Sequence, residues 1–144
     1  MSEVLFSLDT PRNFLEKTPT AFALKVALSS SAEWAQKLKE RRMAKAYEIT
    51  VWKPHVGKRA EFMKNWAEVA AIFKDAGVSD IKVLEGVAGK DVGNVVVIQT
   101  FKSLTDNGKV NDAIGENAKM KAWMKKHAKD DIATLISHDL YAEA

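Results

Sequence analysis

The stretch "AYEITVWKPHVGKRAEFMKNW" (residues 46–66) changes its period in the middle. Up to Lys53, Tyr47, Ile49 and Val51 fall on one side and Glu48, Thr50 and Trp52 on the other. That alternation is the repeat of a strand, whose successive side chains point to opposite faces. Pro54 to Gly57 supplies a turn. Beyond it Phe62, Trp66, Val69, Ala70 and Phe73 recur at spacings of three and four, which predicts an amphipathic helix over Lys58–Ala76. Gly77 stands where a C-terminal glycine cap belongs.

Reading outward, Asp80–Ala88 predicts a second strand, "GKDVG" (89–93) a hairpin turn, and Asn94–Phe101 a third strand. Ser103 can cap a short helix, with Asp106 three residues on, and Gly115 is expected to break it. Glu116–Lys129 predicts a longer helix with Met120, Trp123, Met124 and His127 on one stripe. Ala133–Tyr141 completes the set as a fourth strand. The order β-α-β-β-α-β is the ferredoxin-like motif, an α+β fold with an antiparallel sheet and helices on one face. The third strand, "NVVVIQTF" (94–101), places Val95 and Val97 on one face and Val96 and Ile98 on the other. Apolar residues on both faces imply burial of both. The helices cover one; a second copy of the sheet is the simplest cover for the other, and a homodimer with sheets face to face is expected.

Composition bounds the remaining classes. The 144 residues, 47% hydrophobic and 28% charged, suit one globular domain. Without cysteine there is no disulfide framework, thiolate zinc site or cysteine nucleophile, and a reducing, cytoplasmic location is expected. No apolar run approaches the length of a membrane helix. The net charge of +3 hints at nucleic acid, but residues 1–42 hold seven basic and five acidic residues and residues 43–144 fifteen and fourteen. A nucleic-acid surface needs clustered excess charge, so no nucleic-acid partner is expected.

Residues 1–42 lack a strand period and read as an extension preceding a domain at 43–144. Two short helical pieces, Ala21–Leu28 and Ala32–Arg42, are predicted, the second with Ser30 and Glu33 at capping-box spacing. "MAKAYEI" (43–49) also looks like a natural start, which makes an over-extended start an alternative to a helical arm.

"AYEITVWKPHVGKRAEFMKNW" resembles the first strand, turn and helix of dimeric α+β barrel proteins. "VVVIQTFKSLTDNGKVNDAIGENAKMKAWMKKH" (95–127) is similar to their third strand, short helix and second helix. The nearest groups are the antibiotic-biosynthesis-monooxygenase-like and NIPSNAP-type families, over about residues 45–141. The resemblance implies a dimer with a cavity between helices and sheet or within the barrel. It spans cofactor-independent oxygenases, isomerases, haem-degrading enzymes and structural units. The haem-degrading chemistry is not carried over to Asn65, Trp66 and His127, and no cofactor is expected.

Candidate residues follow from chemistry. His138, in the last strand, suits acid–base work near neutrality, with Glu48, Thr50 and Gln99 as polar partners in otherwise apolar strands. His55, in the strand-to-helix turn, reads as punctuation or, with Lys58 and Arg59 at a helix start, as the mouth of an anion site. His127 reads as an amphipathic edge position, and the three histidines lack metal-ligand spacing. Trp52, Trp66 and Trp123 read as packing residues and as walls of any cavity. The expectation is a protein that binds an apolar or aromatic small molecule, with Thr50, Trp52, Gln99 and Phe101 contacting it and His138 or His55 moving a proton. A cofactor-independent monooxygenase or isomerase would need an open cavity reaching a titratable group. A non-catalytic dimeric structural or interaction module, the alternative, would have a closed and filled core.

Overall fold

The computed structural model describes residues 21–144, with side chains from residue 30 onward. The chain separates after Ala35 into two units. Helix α1, Ala21–Met43, is continuous, in place of the two short pieces expected. Serine in a helix interior costs only about 0.5 kcal/mol relative to alanine, so Ser29, Ser30 and Ser31 do not interrupt it. Ser30 therefore sits inside a helix rather than starting one. Arg41 and Arg42 occupy the last turn, where positive charge complements the helix dipole.

The second unit holds β1 (Ala46–Pro54), α2 (Arg59–Ala76), β2 (Asp80–Glu85), β3 (Val95–Phe101), α3 (Leu104–Glu116), α4 (Ala118–His127) and β4 (Ala133–Ala142). The sheet order is β2-β3-β1-β4, antiparallel throughout. This is the expected α+β, ferredoxin-like arrangement, with its second helix in two segments. Gly77 closes α2 in the left-handed conformation, φ 117°, as expected. Ser103 accepts from Asp106 N–H at 3.0 Å, the expected cap. Gly115 does not end α3. Glycine weakens a helix but leaves its hydrogen-bond ladder intact. The break falls at Asn117, whose backbone is extended and whose side chain accepts from Met120 N–H at 3.0 Å, starting α4.

The second strand is shorter than expected, because a tight hairpin loop begins at Gly86. Gly86 N–H donates to Asn94 O at 3.0 Å and Gly93 N–H to Gly86 O at 2.9 Å. A Cβ on Gly86 would lie 1.7 Å from the Asp91 carbonyl oxygen. Gly86→Ala should therefore force the loop apart and lower stability by about 1–3 kcal/mol. Urea denaturation would read this, and an unchanged midpoint would mean that the loop has slack the geometry denies it.

The core forms where α2 and α3 meet the sheet. Phe62, Trp66, Val69, Ile72, Val110 and Ile114 pack on Ala46, Val95, Val97 and Phe101. The buried stripe of α2 includes Asn65 and Ile72, while Ala70 and Phe73 are half-buried. Burial of each large apolar side chain contributes about 1.5–3 kcal/mol. On the face that α2, α3 and α4 leave uncovered, Ile49 pairs with Ile98 and Val51 with Val96. Within the single chain Val51 is buried, Ile49, Val96 and Ile98 are half-buried and Leu84 is 48% exposed.

The last strand carries a bulge. Trp52 pairs with Leu135 but Val51 with Ser137, so Ile136 has no opposite residue. In a regular strand Leu135 and His138 would lie on opposite faces. The extra residue brings both to the helix side, beside Trp52 and Thr50.

Candidate functional site

The core proper lies over β3. Towards β1 and β4 the helices and the sheet enclose a cavity of about 620 Å³. Its walls are aromatic and apolar, among them Trp52, Phe62, Trp66, Phe73, Trp123 and Ile132. Trp52 and Phe62 rings stand 5.7 Å apart and Trp66 and Phe73 rings 5.9 Å apart. Met124, Leu135 and His138 also line it and are half or more exposed or close to it, at 57%, 44% and 53% (side chain), which places them at its opening.

Two polar clusters interrupt the apolar wall. The first stands on the sheet. Glu48, on β1, has a side chain only 12% exposed. Its Oε1 lies 2.5 Å from His138 Nε2. Its Oε2 accepts from Asn107 at 2.8 Å and from Asn111 at 3.2 Å, one turn apart on α3. Burial raises the Glu48 pKa, but the hydrogen bonds from Asn111, Asn107 and His138 outweigh it and hold the carboxyl below its ordinary value. A carboxylate on Nε2 fixes that nitrogen as the N–H, which leaves Nδ1 of neutral His138 as the basic atom. Nearby, Thr50 Oγ1 accepts from Trp52 Nε1 at 2.9 Å. The Gln99 amide lines the cavity with no hydrogen-bond partner among the described residues.

The second cluster belongs to the helices. His127, on α4, lies 2.5 Å through Nδ1 from Asp130 and 3.4 Å from the Asn65 amide on α2. Its ring lies 4.7 Å from the Trp123 ring, tilted by 38°. His127, Asp130 and Asn65 all line the cavity.

Of the residues singled out in the sequence, His138, Thr50, Trp52 and Gln99 meet at this cavity. Phe101 is fully buried in the core and does not line it. His55 lies outside it, with Nδ1 3.1 Å from Asp131 O and Nε2 3.0 Å from Thr134 Oγ1. Both ring nitrogens are thus spent on fastening the turn to the start of β4. The anion site suggested beside it finds its cations engaged: Lys58 pairs with Glu61 at 2.8 Å, and Arg59 with Glu85 at 2.8 Å. No group of three or more potential metal ligands occurs among the described residues.

Sequence reasoning set Asn65 aside with the haem-degrading chemistry, passed over Asp130 and gave His127 an edge position. Asn65 left a signal: a polar residue three after Phe62 and next to Trp66, inside an apolar stripe. Asp130, beyond the helix end, left none.

The family model described as Domain of unknown function (DUF6854) matches residues 45–137. No curated protein matches the chain. Among solved structures, a NIPSNAP family protein with unknown function from Agrobacterium tumefaciens superposes with a TM-score of 0.56 at 14% identity, over 71% of this chain and 90% of that one. A second NIPSNAP family protein from the same organism gives 0.54 at 16%, over 69% and 91%. SnoaB, a cofactor-independent oxygenase from Streptomyces nogalater, gives 0.53 at 22%, over 70% and 94%. At these identities the likeness is one of fold, and that fold is the ferredoxin-like α+β arrangement described above.

Proposed function

Since the chain belongs to the family described as Domain of unknown function (DUF6854), which prescribes no reaction, we propose from its cavity that it binds an apolar or aromatic small molecule and moves a proton on it. The observation that carries this reading is the carboxylate-held imidazole of His138 at the mouth of an aromatic cavity. Nδ1 of His138 takes the proton from an acidic C–H or O–H, while Glu48 stabilises the imidazolium that forms. Trp52 supplies a flat wall, and Gln99 and the Thr50 hydroxyl supply polar contacts. Return of the proton at another position is an isomerisation; transfer of an electron from the resulting anion to dioxygen opens a cofactor-independent oxygenation. The likeness to SnoaB favours neither at 22% identity. An open cavity whose wall holds the Gln99 amide, without a hydrogen-bond partner among the described residues, favours a ligand over a filled, non-catalytic module.

The chain acts as a homodimer in this reading. The half-buried face of Ile49, Val96 and Ile98, continued by Leu84, packs on the same face of a second copy.

Native mass spectrometry of gently purified protein tests the binding. A dimer carrying the extra mass of a small apolar molecule is expected. Met124→Trp, which fills the cavity mouth without touching the core, should lose that mass. Retention of the adduct in Met124→Trp would place the ligand elsewhere, and a wild-type protein that takes up no aromatic ligand even when one is supplied in excess would favour the non-catalytic module.

A further inference from the structure

The second polar cluster contains a conflict whose resolution assigns a role. His127 Nδ1 faces two groups: an Asp130 carboxylate oxygen at 2.5 Å and the terminal Nδ2 of Asn65 at 3.4 Å. One ring nitrogen is either a donor or an acceptor. Imidazole is a stronger base than a carboxylate, so a proton shared between them resides on the imidazole. Nδ1 is therefore an N–H, whether the ring is neutral or charged. An N–H cannot accept from an amide NH₂. The Asn65 atom turned to His127 must then be its oxygen, since amide orientation follows from the hydrogen-bond network.

The consequence lies on the other side of the amide. Asn65 is only 8% exposed and lines the cavity. Its remaining terminal atom has no hydrogen-bond partner among the described residues and is not among the polar atoms closed off from solvent. With Oδ1 turned to the His127 N–H as its longer, 3.4 Å branch beside Asp130 at 2.5 Å, that position carries the NH₂ group. The geometry points to Asn65 as a hydrogen-bond donor for a ligand oxygen, with His127 and Asp130 as the residues that position it. The preferred ligands are then carbonyl-bearing apolar molecules, with the carbonyl at the helix wall and the site of proton removal at the sheet wall. This rests on the small-molecule reading above and gives it a substrate class.

Two bicyclic probes of nearly equal shape test it: 1-tetralone, which has a ring carbonyl, and tetralin, which lacks it. Quenching of Trp52, Trp66 and Trp123 reports binding. One hydrogen bond contributes about 0.5–1.5 kcal/mol net, so the ketone should bind about 3–10-fold more tightly. Asn65→Leu should abolish the preference while leaving tetralin affinity within about twofold. His127→Phe should reduce it likewise, whereas His127→Asn, which keeps a donor near the place of Nδ1, should retain it. In the wild-type protein, ¹⁵N imidazole shifts should show Nδ1 of His127 protonated at neutral pH. Equal binding of both probes, a preference that survives Asn65→Leu, or an unprotonated Nδ1 would overturn the assignment and leave the cavity reading standing. Failure of both probes to bind would overturn the cavity reading, and this inference with it.

Discussion

Glu48→Ala is expected to cost about 3–4 kcal/mol of stability, because the carboxylate ties three elements together and truncation strands all its partners. Asn107 and Asn111 lose their acceptor on β1, and His138 loses the group that fixes its tautomer. Glu48→Gln separates the two roles. The amide oxygen can still accept from the asparagines, while its NH₂ must now donate to His138 Nε2. That makes Nε2 the acceptor and puts the proton on Nδ1, so the base is switched off in a nearly intact fold. Imidazole ¹⁵N shifts should report the exchange of tautomers, and any proton-transfer activity should fall by about two orders of magnitude or more. Acid sensitivity checks the same group. The folded carboxyl is held below its ordinary value of 4.5. Its contribution is therefore complete above the unfolded value and is lost as pH falls through the folded one. Glu48→Gln should flatten that part of the acid limb in urea midpoints measured from about pH 7 down to about pH 3. An acid limb identical to wild type would show that the carboxylate is not held as the geometry says.

Ile98→Glu is expected to split the proposed homodimer. Ile98 sits opposite Ile49 on the sheet face that α2, α3 and α4 leave uncovered. In the single chain it is only half-buried, so the substitution should leave the fold intact. In a sheet-on-sheet interface the same carboxylate would be buried without a partner, at a cost of about 3 kcal/mol or more per site. That corresponds to at least a 100-fold rise in Kd. Sedimentation at micromolar concentration should give twice the chain mass for wild type and the chain mass for the variant, with unchanged circular dichroism. A wild-type chain that sediments as a monomer would remove the sheet-on-sheet reading.

The fold was legible because each element carries its own period. β1 alternates, α2 repeats at three and four, and Gly77 and Ser103 mark ends that hydrogen bonding then uses. The misreadings share a cause. Gly115 reads as a breaker by residue type, and Ser30 with Glu33 as a cap by spacing, neither with regard to what else could bond the backbone there. A helix is broken instead where a competing acceptor is in place, as at Asn117. The site was legible only in part. His138, Thr50, Trp52 and Gln99 share a sheet face, and strand alternation makes such sharing visible. Asn65, His127 and Asp130 come from two helices and a connecting segment. Their meeting depends on how α4 packs against α2, which no local period encodes. Phe101 and His55 show the complementary limit: period and turn chemistry placed both in the right elements, but whether a side chain ends at a cavity or in filled space is decided by what lies above it.

A strand that already carries one surplus residue can afford to lose one. Removal of Ile136 would restore plain alternation to β4 and keep Leu135 and His138 on the same side. A single deletion within β1 or β3 has no such reserve; there it would turn Thr50 or Gln99 outward and bring the neighbouring apolar residues in. Tolerance to change of length is therefore concentrated at one point of the sheet, and at that point the identity of the omitted residue matters less than the parity of the count.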